Sequence, residues 1–463
     1  MTFHDIFTRL NVPLISSAWH SVVLLAGLLI SPLASAYICH VHLEYHDIVT
    51  KLFLSYICFE VLFYLSESIR FARICRSENV AANSTRMKQA MEQFGSLKSI
   101  INMQEFLEGW FLGSKMSEIY HENMIEFIAY GFYSKRAEEL TSSEKAQIES
   151  FLTDTCDTYG ISFPKGYNPD VKFMGHTIEP IRAFHKPLIV YLLMEIVGMC
   201  CHSFLYLYGF KRMKQGGITK WIYLPRTVDH DKSPIVFLHG IGFGVLPYIH
   251  FIISLVSVEK NRAFILVEMR HVAMRIYSND APDLTSLAHD IVDAMEHAGY
   301  EKGIFIAHSY GTFVLSQILQ SRNSSVDQAF LIDPVCLMTC HPKLTSTFVY
   351  RTFQGLPVSF KRFMDLVQFV FSRDLTLAQT FCRRFNGMEI MIWPEDLPKH
   401  AKNVIVLSGK DPLIPIALVQ EQFKEVDHCH TVVNNDHTHG QFLGDLQYLK
   451  FLVHHVFKKH LRD

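Results

Sequence analysis

The C-terminal half of the chain alternates short apolar runs with segments of helical periodicity. The clearest helical patterns cover Leu284–Ala298, Thr312–Gln320 and Gln441–His455. Near-continuous apolar strands that alternate with helices predict an α/β fold, in which helices cover both faces of a mostly parallel sheet. The predicted strands are Trp221–Leu224, Ile235–Leu238, Ala263–Val267, Gly303–Ala307, Ala329–Ile332, Val404–Leu407 and Thr431–Val433.

The N-terminal half contains three apolar segments that are candidates for membrane contact. The first, Pro13–Cys39, carries no formal charge and exceeds the roughly 20 residues that cross a bilayer core. A secretory signal peptide is the alternative, because residues 34–36, ASA, resemble a cleavage site. Only Arg9 supplies a basic residue before the segment, and apolar residues continue past that site. We therefore predict a retained anchor.

The other two apolar segments are each followed by a basic cluster. Leu52–Ser66 precedes Arg70–Arg76, and Pro187–Phe210 precedes Lys211–Lys214. Basic residues flank the cytosolic ends of membrane segments, so three spans would place the two clusters on opposite sides. One segment therefore does not span, and the sequence leaves open which one. We expect the third to dip into the membrane, lie along it or pack on the C-terminal domain.

These patterns divide the chain into three parts. Residues 1–80 form the membrane anchor, and residues 81–220 form a mostly helical region with an apolar, membrane-associated helix at 187–210. Residues 221–463 form the α/β domain, with an insertion at about 335–400. We expect an endomembrane location, at the endoplasmic reticulum or a lipid droplet, with the α/β domain in the cytosol.

The composition agrees with a chain that contacts lipid. Of the 463 residues, 49% are hydrophobic and 19% are charged, and a net charge of −2 provides no basic surface for nucleic acid. The ten cysteines are scattered without a C-x-x-C pair, which favours free thiols over a zinc site. The sequence indicates no particular protein partner.

Polar residues follow four of the predicted strands at their carboxyl ends. The loops are HGIGFG at 239–244, HSYG at 308–311, SGKDPLIP at 408–415 and NNDHTHGQFLGD at 434–445. Parallel sheets bind ligands at the carboxyl ends of their strands. A serine becomes nucleophilic when a base takes its proton and an acid orients that base. Ser309, His439 and Asp411 are the candidates for nucleophile, base and acid, although a serine at this place also suits a helix N-cap.

The same loops resemble those of the α/β-hydrolase superfamily, over roughly Trp221–His455. Residues 307–311, AHSYG, resemble its G-x-S-x-G nucleophile turn, with Ala307 as a small departure. The resemblance implies that the N–H groups of Tyr310 and Ile241 hold the oxyanion. It also implies a helical cap for the insertion. The motifs SPIVFLHGIGFGVLPYIHFI, AHSYGTFV and LIDPVCLM further resemble eukaryotic, largely fungal, membrane-anchored hydrolase-domain proteins.

Two of the three assignments have rivals in the sequence. Asp333, in LIDPV, competes with Asp411, because some members of the superfamily carry the acid after the preceding strand. His437 competes with His439, but Gly440 and the FL pair at 442–443 favour His439. The histidine pairs HTH and HCH meet no set of acidic or cysteine ligands, so we predict neither a metal nor a cofactor.

The sequence thus predicts a membrane-anchored serine hydrolase that cleaves a carboxylic ester. The insertion is rich in aromatic residues, which suits an apolar site for an acyl chain and makes a lipid ester the expected substrate. Acyl transfer to an alcohol uses the same residues and stays open. A non-catalytic membrane adaptor that has kept the fold is the alternative from another class.

Overall fold

The computed structural model describes residues 48–80, 83–215, 218–277, 279–353, 359–384 and 386–461. The predicted anchor Pro13–Cys39 lies outside the described residues. The chain forms two compact units. The first comprises residues up to Glu78 together with Phe184–Leu193, and the second comprises Asn79–Ala183 together with Met194–Asp463.

The first unit contains a long apolar helix, α1, Ile48–Cys75. It extends well beyond the predicted segment Leu52–Ser66, since the chain after Ser66 stays helical past Arg70 and Arg73. Its internal carboxylate, Glu60, accepts hydrogen bonds from Tyr56 Oη at 2.9 Å and Leu188 N–H at 2.7 Å, and lies 2.9 Å from His185 Nε2. Within this unit, the charged group inside the apolar helix is thus fully bonded.

Two helices among the described residues have the length and apolar composition to cross a membrane. They are Thr50–Cys75, within α1, and Leu188–Tyr208. The second of these helices, Leu188–Tyr208, and the four α-helices before it lie in the predicted helical region. In chain order they are α2 Ser84–Phe94, α3 Met103–Trp110, α4 His121–Ile128, α5 Ser142–Tyr159 and α6 Leu188–Tyr208.

The second unit is built on an eight-stranded sheet of the described residues, with strand order β1-β2-β4-β3-β5-β6-β7-β8. Strand β2 is antiparallel to both of its neighbours, and every other pairing is parallel. The strands are β1 Lys211–Gln215, β2 Ile218–Tyr223, β3 Ile235–Leu238, β4 Phe264–Glu268, β5 Gly303–His308, β6 Val326–Ile332, β7 Asn403–Ser408 and β8 Cys429–Asn434.

Helices cover both faces of this sheet. Successive strand residues point to opposite sides, and those of the central strands are buried on both sides. On one face, Phe237 and Ile306 join a core with Phe251 and Phe457 from the helices. On the other face, a Cβ at Gly303 would lie 2.6 Å from Sδ of Met295, which shows how closely the helix that carries Met295 approaches the strand. The helices are α7 Ile249–Val258, α8 Leu284–Glu296, α9 Gly311–Ser321, α10 Phe360–Ser372, α11 Leu375–Arg383, α12 Ile416–Gln422, α13 Leu446–Phe451 and α14 Lys458–His460.

The sequence did not predict the first strand of the sheet. The sheet begins at Lys211, whereas the predicted α/β domain begins at residue 221. Strand β1 reads KRMKQ, and its residues 211–214 are exposed. An edge strand with both faces in solvent has no apolar alternation to reveal it, and basic side chains are common there.

The segment between β6 and β7 carries α10 and α11, in the region of the predicted insertion. Helix α11 is buried along its whole length. Its Phe381 contacts Phe348 with ring centroids 4.9 Å apart. Aromatic residues of the insertion therefore pack on one another in the second unit.

Candidate active site

Ser309 occupies a tight turn between β5 and α9. Its backbone adopts a left-handed conformation, with φ of 52°, which costs free energy in a residue with a Cβ. A Cβ at Gly311 would lie 2.3 Å from the carbonyl oxygen of Leu238, so only glycine fits there. Ala307 is fully buried, which explains why a small residue is required before the turn. The strained turn holds the Ser309 hydroxyl at the carboxyl end of the sheet.

Three predicted residues form one chain of hydrogen bonds at this edge. Ser309 Oγ lies 2.8 Å from His439 Nε2, and His439 Nδ1 lies 2.6 Å from Asp411 Oδ2. The other oxygen of Asp411 accepts the N–H of Leu413 at 2.7 Å. A carboxylate on Nδ1 fixes the tautomer that leaves Nε2 free to accept the serine proton. The structure thus brings Ser309, His439 and Asp411 together.

Asp333 lies beside this chain of hydrogen bonds and bonds to the backbone around it. Its Oδ1 accepts the N–H of Ser408 at 2.9 Å, and its Oδ2 accepts the N–H of Gly440 at 2.7 Å and the hydroxyl of Ser408 at 3.1 Å. Its backbone φ is also positive, at 43°. Asp333 therefore holds the end of β7 and the loop of His439, while Asp411 contacts the imidazole.

His437 lies on the same loop but has a different partner. Its Nε2 is 3.1 Å from Asp445 Oδ2, and its carbonyl accepts the N–H of Lys410. Asp445 also caps α13, since its side chain accepts the N–H groups of Gln447 and Tyr448. The structure thus ties His437 to a helix end, and it ties His439 to Ser309.

The N–H groups named as oxyanion donors are surrounded by bonded neighbours. Gly240 N–H donates to Tyr248 Oη at 3.0 Å, and Gly242 N–H donates to the carbonyl of Val272 at 3.1 Å. In the described part of the chain, the N–H groups of Ile241 and Tyr310 have no hydrogen-bond acceptor. Both sit in turns next to Ser309, so they are available to a ligand oxygen.

The electrostatic environment of His439 differs from that of His308. Burial alone would lower the pKa of His439, but the charge and hydrogen bond of Asp411, with the charge of Asp333, raise it above its usual 6.5. Burial, followed by the nearby His439 and His239, holds the pKa of His308 well below 6.5. His308 is therefore neutral, and His439 is the histidine that can accept and hold a proton.

Burial also raises the pKa of Asp333, and the charge of Asp411 adds to that rise, against the opposing effect of His439. The ligand atoms of Asp333, Asp411 and His439 lie within 4.8 Å of one another, which is close enough for a metal ion. Each of these atoms already has a hydrogen-bond partner in the protein. The arrangement therefore suits proton transfer better than metal coordination.

Tyr248 is a residue of the site that the sequence did not reveal. Its hydroxyl accepts the Gly240 N–H and lies 2.7 Å from His308 Nδ1, so it connects the HG loop with β5. His239 has a similar role, since its Nδ1 bonds the Gly240 carbonyl and its Nε2 accepts the N–H of Met269. Tyr248 lies within the stretch SPIVFLHGIGFGVLPYIHFI, but the resemblance assigned it no role, and the signal was its hydroxyl in an apolar run.

An apolar cavity of about 100 Å³ lies in the second unit, and its lining includes none of Ser309, His439 and Asp411. Its lining combines α3 and α4 with the segment that follows β6, and includes Trp110, Val349 and Phe381. Ring contacts connect its wall to the serine turn: Phe381 lies 6.1 Å from Phe313, and Phe313 lies 5.8 Å from Tyr310. Aromatic packing thus runs from the cavity to the residue after Ser309.

Comparison with known proteins agrees with this architecture. Residues 235–445 match the model of the alpha/beta hydrolase family. These residues run from β3 through β8, so the predicted α/β-hydrolase fold is confirmed. No curated protein sequence matches the chain.

Solved structures with similarity to the chain include three hydrolases. A serine hydrolase from Cycloclasticus zankles has 14% identity over 55% of this chain and 99% of that chain, with a TM-score of 0.39. A 2-hydroxy-6-oxo-6-phenylhexa-2,4-dienoate hydrolase from Rhodococcus sp. strain RHA1 has 17% identity over 55% of this chain and 98% of that chain, with a TM-score of 0.40. A membrane phospholipase A, a bacterial virulence factor, has 10% identity over 58% of this chain and 94% of that chain, with a TM-score of 0.39.

Proposed function

Because residues 235–445 match the alpha/beta hydrolase family, we propose that the chain is a membrane-anchored serine hydrolase that cleaves a carboxylic ester of a lipid. Ser309 is the nucleophile, His439 is the general base and acid, and Asp411 orients His439. The observation that carries this proposal is the unbroken series of contacts from Ser309 Oγ to His439, at 2.8 Å, and from His439 to Asp411, at 2.6 Å.

The first half of the reaction forms an acyl-enzyme. Ser309 Oγ attacks the carbonyl carbon of the ester while His439 Nε2 takes the hydroxyl proton. The charge on the carbonyl oxygen is held by the N–H groups of Tyr310 and Ile241. The carbon–oxygen bond of the ester then breaks, and His439 gives its proton to the departing alcohol. Asp411 stabilises the imidazolium between these two transfers.

The second half releases the acid and restores the serine. Water attacks the acyl carbon, His439 takes one of its protons, and the tetrahedral intermediate collapses to the free acid as Ser309 regains its proton. An alcohol in place of water would give acyl transfer by the same steps. We take hydrolysis as the primary reaction because it needs no second substrate site.

Support for a lipid ester comes from the apolar cavity whose wall is connected to the serine turn through the ring of Phe313. The cavity is lined mainly by apolar and aromatic side chains, including Phe106, Trp110 and Phe381. Such a lining favours an apolar group over a polar one. Two apolar helices long enough for a bilayer add a route to the membrane. We propose that the protein resides on an endomembrane with its α/β domain in the cytosol, as the basic residues that follow both helices suggest.

A fluorophosphonate probe tests the catalytic proposal directly, because it reacts with an activated serine and not with an ordinary hydroxyl. We expect stoichiometric labelling of the native protein in detergent micelles and none of Ser309→Ala. Ser321→Ala is the matched control, since its hydroxyl bonds the Gln317 carbonyl at the far end of α9. Absence of labelling in native protein with an intact thermal transition would overturn the proposal.

A further inference from the structure

Within the second unit, helix α6 has two unlike faces. Its inner face, Glu195, Gly198, His202 and Leu205, packs on the α/β domain.

Its outer face is exposed and apolar, with side chains three or four residues apart. We call this set the outer face: Ile196, Met199, Cys200, Phe204 and Leu207. The exposed fractions are 50% for Ile196, 55% for Met199 and 84% for Leu207. A helix with charges inside and apolar side chains outside is inverted relative to a helix on a soluble surface.

The inner face is fixed by ion pairs along its length. Glu195 accepts hydrogen bonds from Arg275 at 2.5 Å, from Arg270 at 2.9 Å and from the N–H of Ile276 at 3.0 Å. About two turns further along the helix, His202 Nε2 lies 3.0 Å from Glu268 Oε1. This side of α6 is therefore committed to the α/β domain.

Gly198 shows how tightly this attachment is made. A Cβ at this position would lie 1.7 Å from Nη1 of Arg275, so the guanidinium crosses the helix where a side chain is missing. Arg275 itself is buried, and its Nη1 also faces Glu268 at 3.5 Å. Residues 194–208 thus lie against a folded α/β domain, and lipid cannot surround them as it surrounds a free span.

Two observations indicate that lipid covers the outer face. Helix α6 itself has the length and apolar composition of a helix that crosses a membrane. Just after α6, the exposed side chains of Lys211, Arg212 and Lys214 form a basic edge on β1. An apolar stripe that ends in basic residues suits the boundary between acyl chains and anionic headgroups.

The rim of the candidate active site lies close to this helix. The N–H of Ile276 bonds Glu195, and the neighbouring Val272 carbonyl accepts the N–H of Gly242 in the HG loop. The side chains of Ile276 and Phe243 are both exposed. Exposed apolar side chains thus border the loop that carries Ile241, close to the residues that attach α6 to the α/β domain.

We propose that α6 is an in-plane docking helix, with its outer face embedded in one leaflet of a phospholipid bilayer and its inner face holding the α/β domain at that leaflet. The docking itself does not depend on the proposed function. The consequence that an ester enters the site from the leaflet does rest on it.

Depth measurements with nitroxide labels test the docking. Full-length protein is reconstituted in vesicles of phosphatidylcholine and phosphatidylserine, with Cys39, Cys58, Cys75, Cys156 and Cys201 changed to Ser. Cys200 is the first label site, and Ile196→Cys and Leu207→Cys follow in a Cys200→Ser background. The other cysteines of the second unit react slowly, because burial raises the pKa of the thiols of Cys336, Cys340, Cys382 and Cys429 to about 12.

For an in-plane helix we expect all three labels at one shallow depth, about 5–10 Å into the leaflet, with oxygen favoured over an aqueous nickel chelate as the relaxing agent. A Lys424→Cys label, on an exposed lysine, is the control and should favour the nickel chelate. In a spanning helix the depths of residues 196 and 207 would differ by about 16 Å, at 1.5 Å per residue. That gradient would overturn the proposal. Labels shielded from both agents would also overturn it, because they would indicate a protein on this face.

An activity measurement tests the consequence separately. Leu207→Glu places a charge in the leaflet, so we expect hydrolysis of a vesicle-bound ester to fall about tenfold relative to hydrolysis of a short soluble ester. Leu446→Glu is the matched control, an exposed leucine on α13, and should leave that ratio unchanged. An unchanged ratio in Leu207→Glu, together with shallow labels, would refute leaflet entry and leave the docking intact. Absence of all esterase activity would instead count against the proposed function.

Discussion

Two clusters of buried charge lie in the second unit of this protein, and they are balanced differently. The strand-end cluster consists of Asp333, Asp411 and His439, next to Ser309. The helix cluster joins α6 to the sheet and consists of Glu195, His202, Glu268, Arg270 and Arg275. In the strand-end cluster, two carboxylates lie close to one imidazole, and Asp411 is the one that bonds it. In the helix cluster, two carboxylates face two guanidinium groups and an imidazole.

The ratio of carboxylates to cationic groups in each cluster decides which of its groups titrate near neutral pH. In the helix cluster, burial alone would raise the pKa of Glu268, but its bond to His202 and the charges of Arg275 and Arg270 lower it. In the strand-end cluster, burial raises the pKa of Asp333, and the carboxylates raise that of His439. Carboxylates that face guanidinium groups stay charged to lower pH, whereas an excess of carboxylate prepares a histidine to take a proton.

The largest effect is expected from removal of the carboxylate on His439. Asp411→Asn keeps the shape of the side chain but places an amide against Nδ1, which favours the wrong tautomer of the imidazole. We expect kcat for a chromogenic ester to fall by about 10⁴-fold, with little change in the thermal midpoint. A loss of less than tenfold would mean that Asp411 is not the orienting acid.

The helix cluster should respond in stability and not in chemistry. Arg275→Met leaves Glu195 and Glu268 with an excess of buried negative charge, so we expect a loss of about 3–5 kcal/mol in the free energy of unfolding in detergent micelles. The labelling of Ser309 per folded molecule should stay unchanged. Lys424→Met, which removes an exposed pair with Glu421, is the control and should cost less than about 1 kcal/mol. Equal losses in the two variants would contradict the comparison.

Asp333→Asn should have an intermediate effect on rate. The amide oxygen can replace Oδ2 and accept from the Gly440 N–H and the Ser408 hydroxyl, but the NH₂ group then faces the Ser408 N–H that Oδ1 accepts in the native protein. We expect kcat to fall about tenfold, or roughly 1.4 kcal/mol, while KM stays near its native value, because the loop of His439 loosens. A loss as large as that of Asp411→Asn would reverse the roles of the two acids.

The pH profile sharpens the same contrast. Only neutral His439 can accept the Ser309 proton, so kcat/KM should fall as the pH drops through the pKa of His439, which lies above 6.5. Asp333→Asn removes a negative charge that raises this pKa, so the acid limb should move to lower pH. Arg275→Met should leave the limb in place. A limb that stays fixed in Asp333→Asn would show that Asp333 has no electrostatic effect on the histidine.

The smallest effect is expected at His437. His437→Gln keeps a donor for Asp445, so activity should stay within about twofold and stability should fall by about 1 kcal/mol or less. His439→Gln is the matched comparison on the same loop and should lose activity almost completely. Similar losses in both variants would place His437 in the chemistry.

The sequence predicted what local patterns encode. The strand at residues 235–238 and the turn around Ser309 carry their own signals, an apolar run and a small-x-Ser-x-Gly motif. The loop SGKDPLIP favoured Asp411 over Asp333, but which carboxylate reaches Nδ1 depends on how the strands lie side by side in the folded sheet. Strand β1 was missed for a related reason, since its place in the sheet comes from pairing with β2 and not from its own residues.

The charged residues of α6 were visible in the sequence, but their partners were not. Glu195 and His202 stood out inside an apolar segment, whereas Arg275 and Glu268 lie more than sixty residues away along the chain. Their separation hides the ion pairs that attach the helix to the sheet. Polar residues in an apolar helix are thus a prompt to look for a distant partner of opposite charge.

The hydroxyl of Tyr248 joins the HG loop to the strand that ends in the serine turn, through Gly240 on one side and His308 on the other. Neither the loop nor the turn can shift without breaking a buried hydrogen bond. In the proposed mechanism, the donors for the developing negative charge are therefore arranged before any substrate arrives. The loss of chain entropy that this order requires occurs once, during folding, and does not recur in each catalytic cycle.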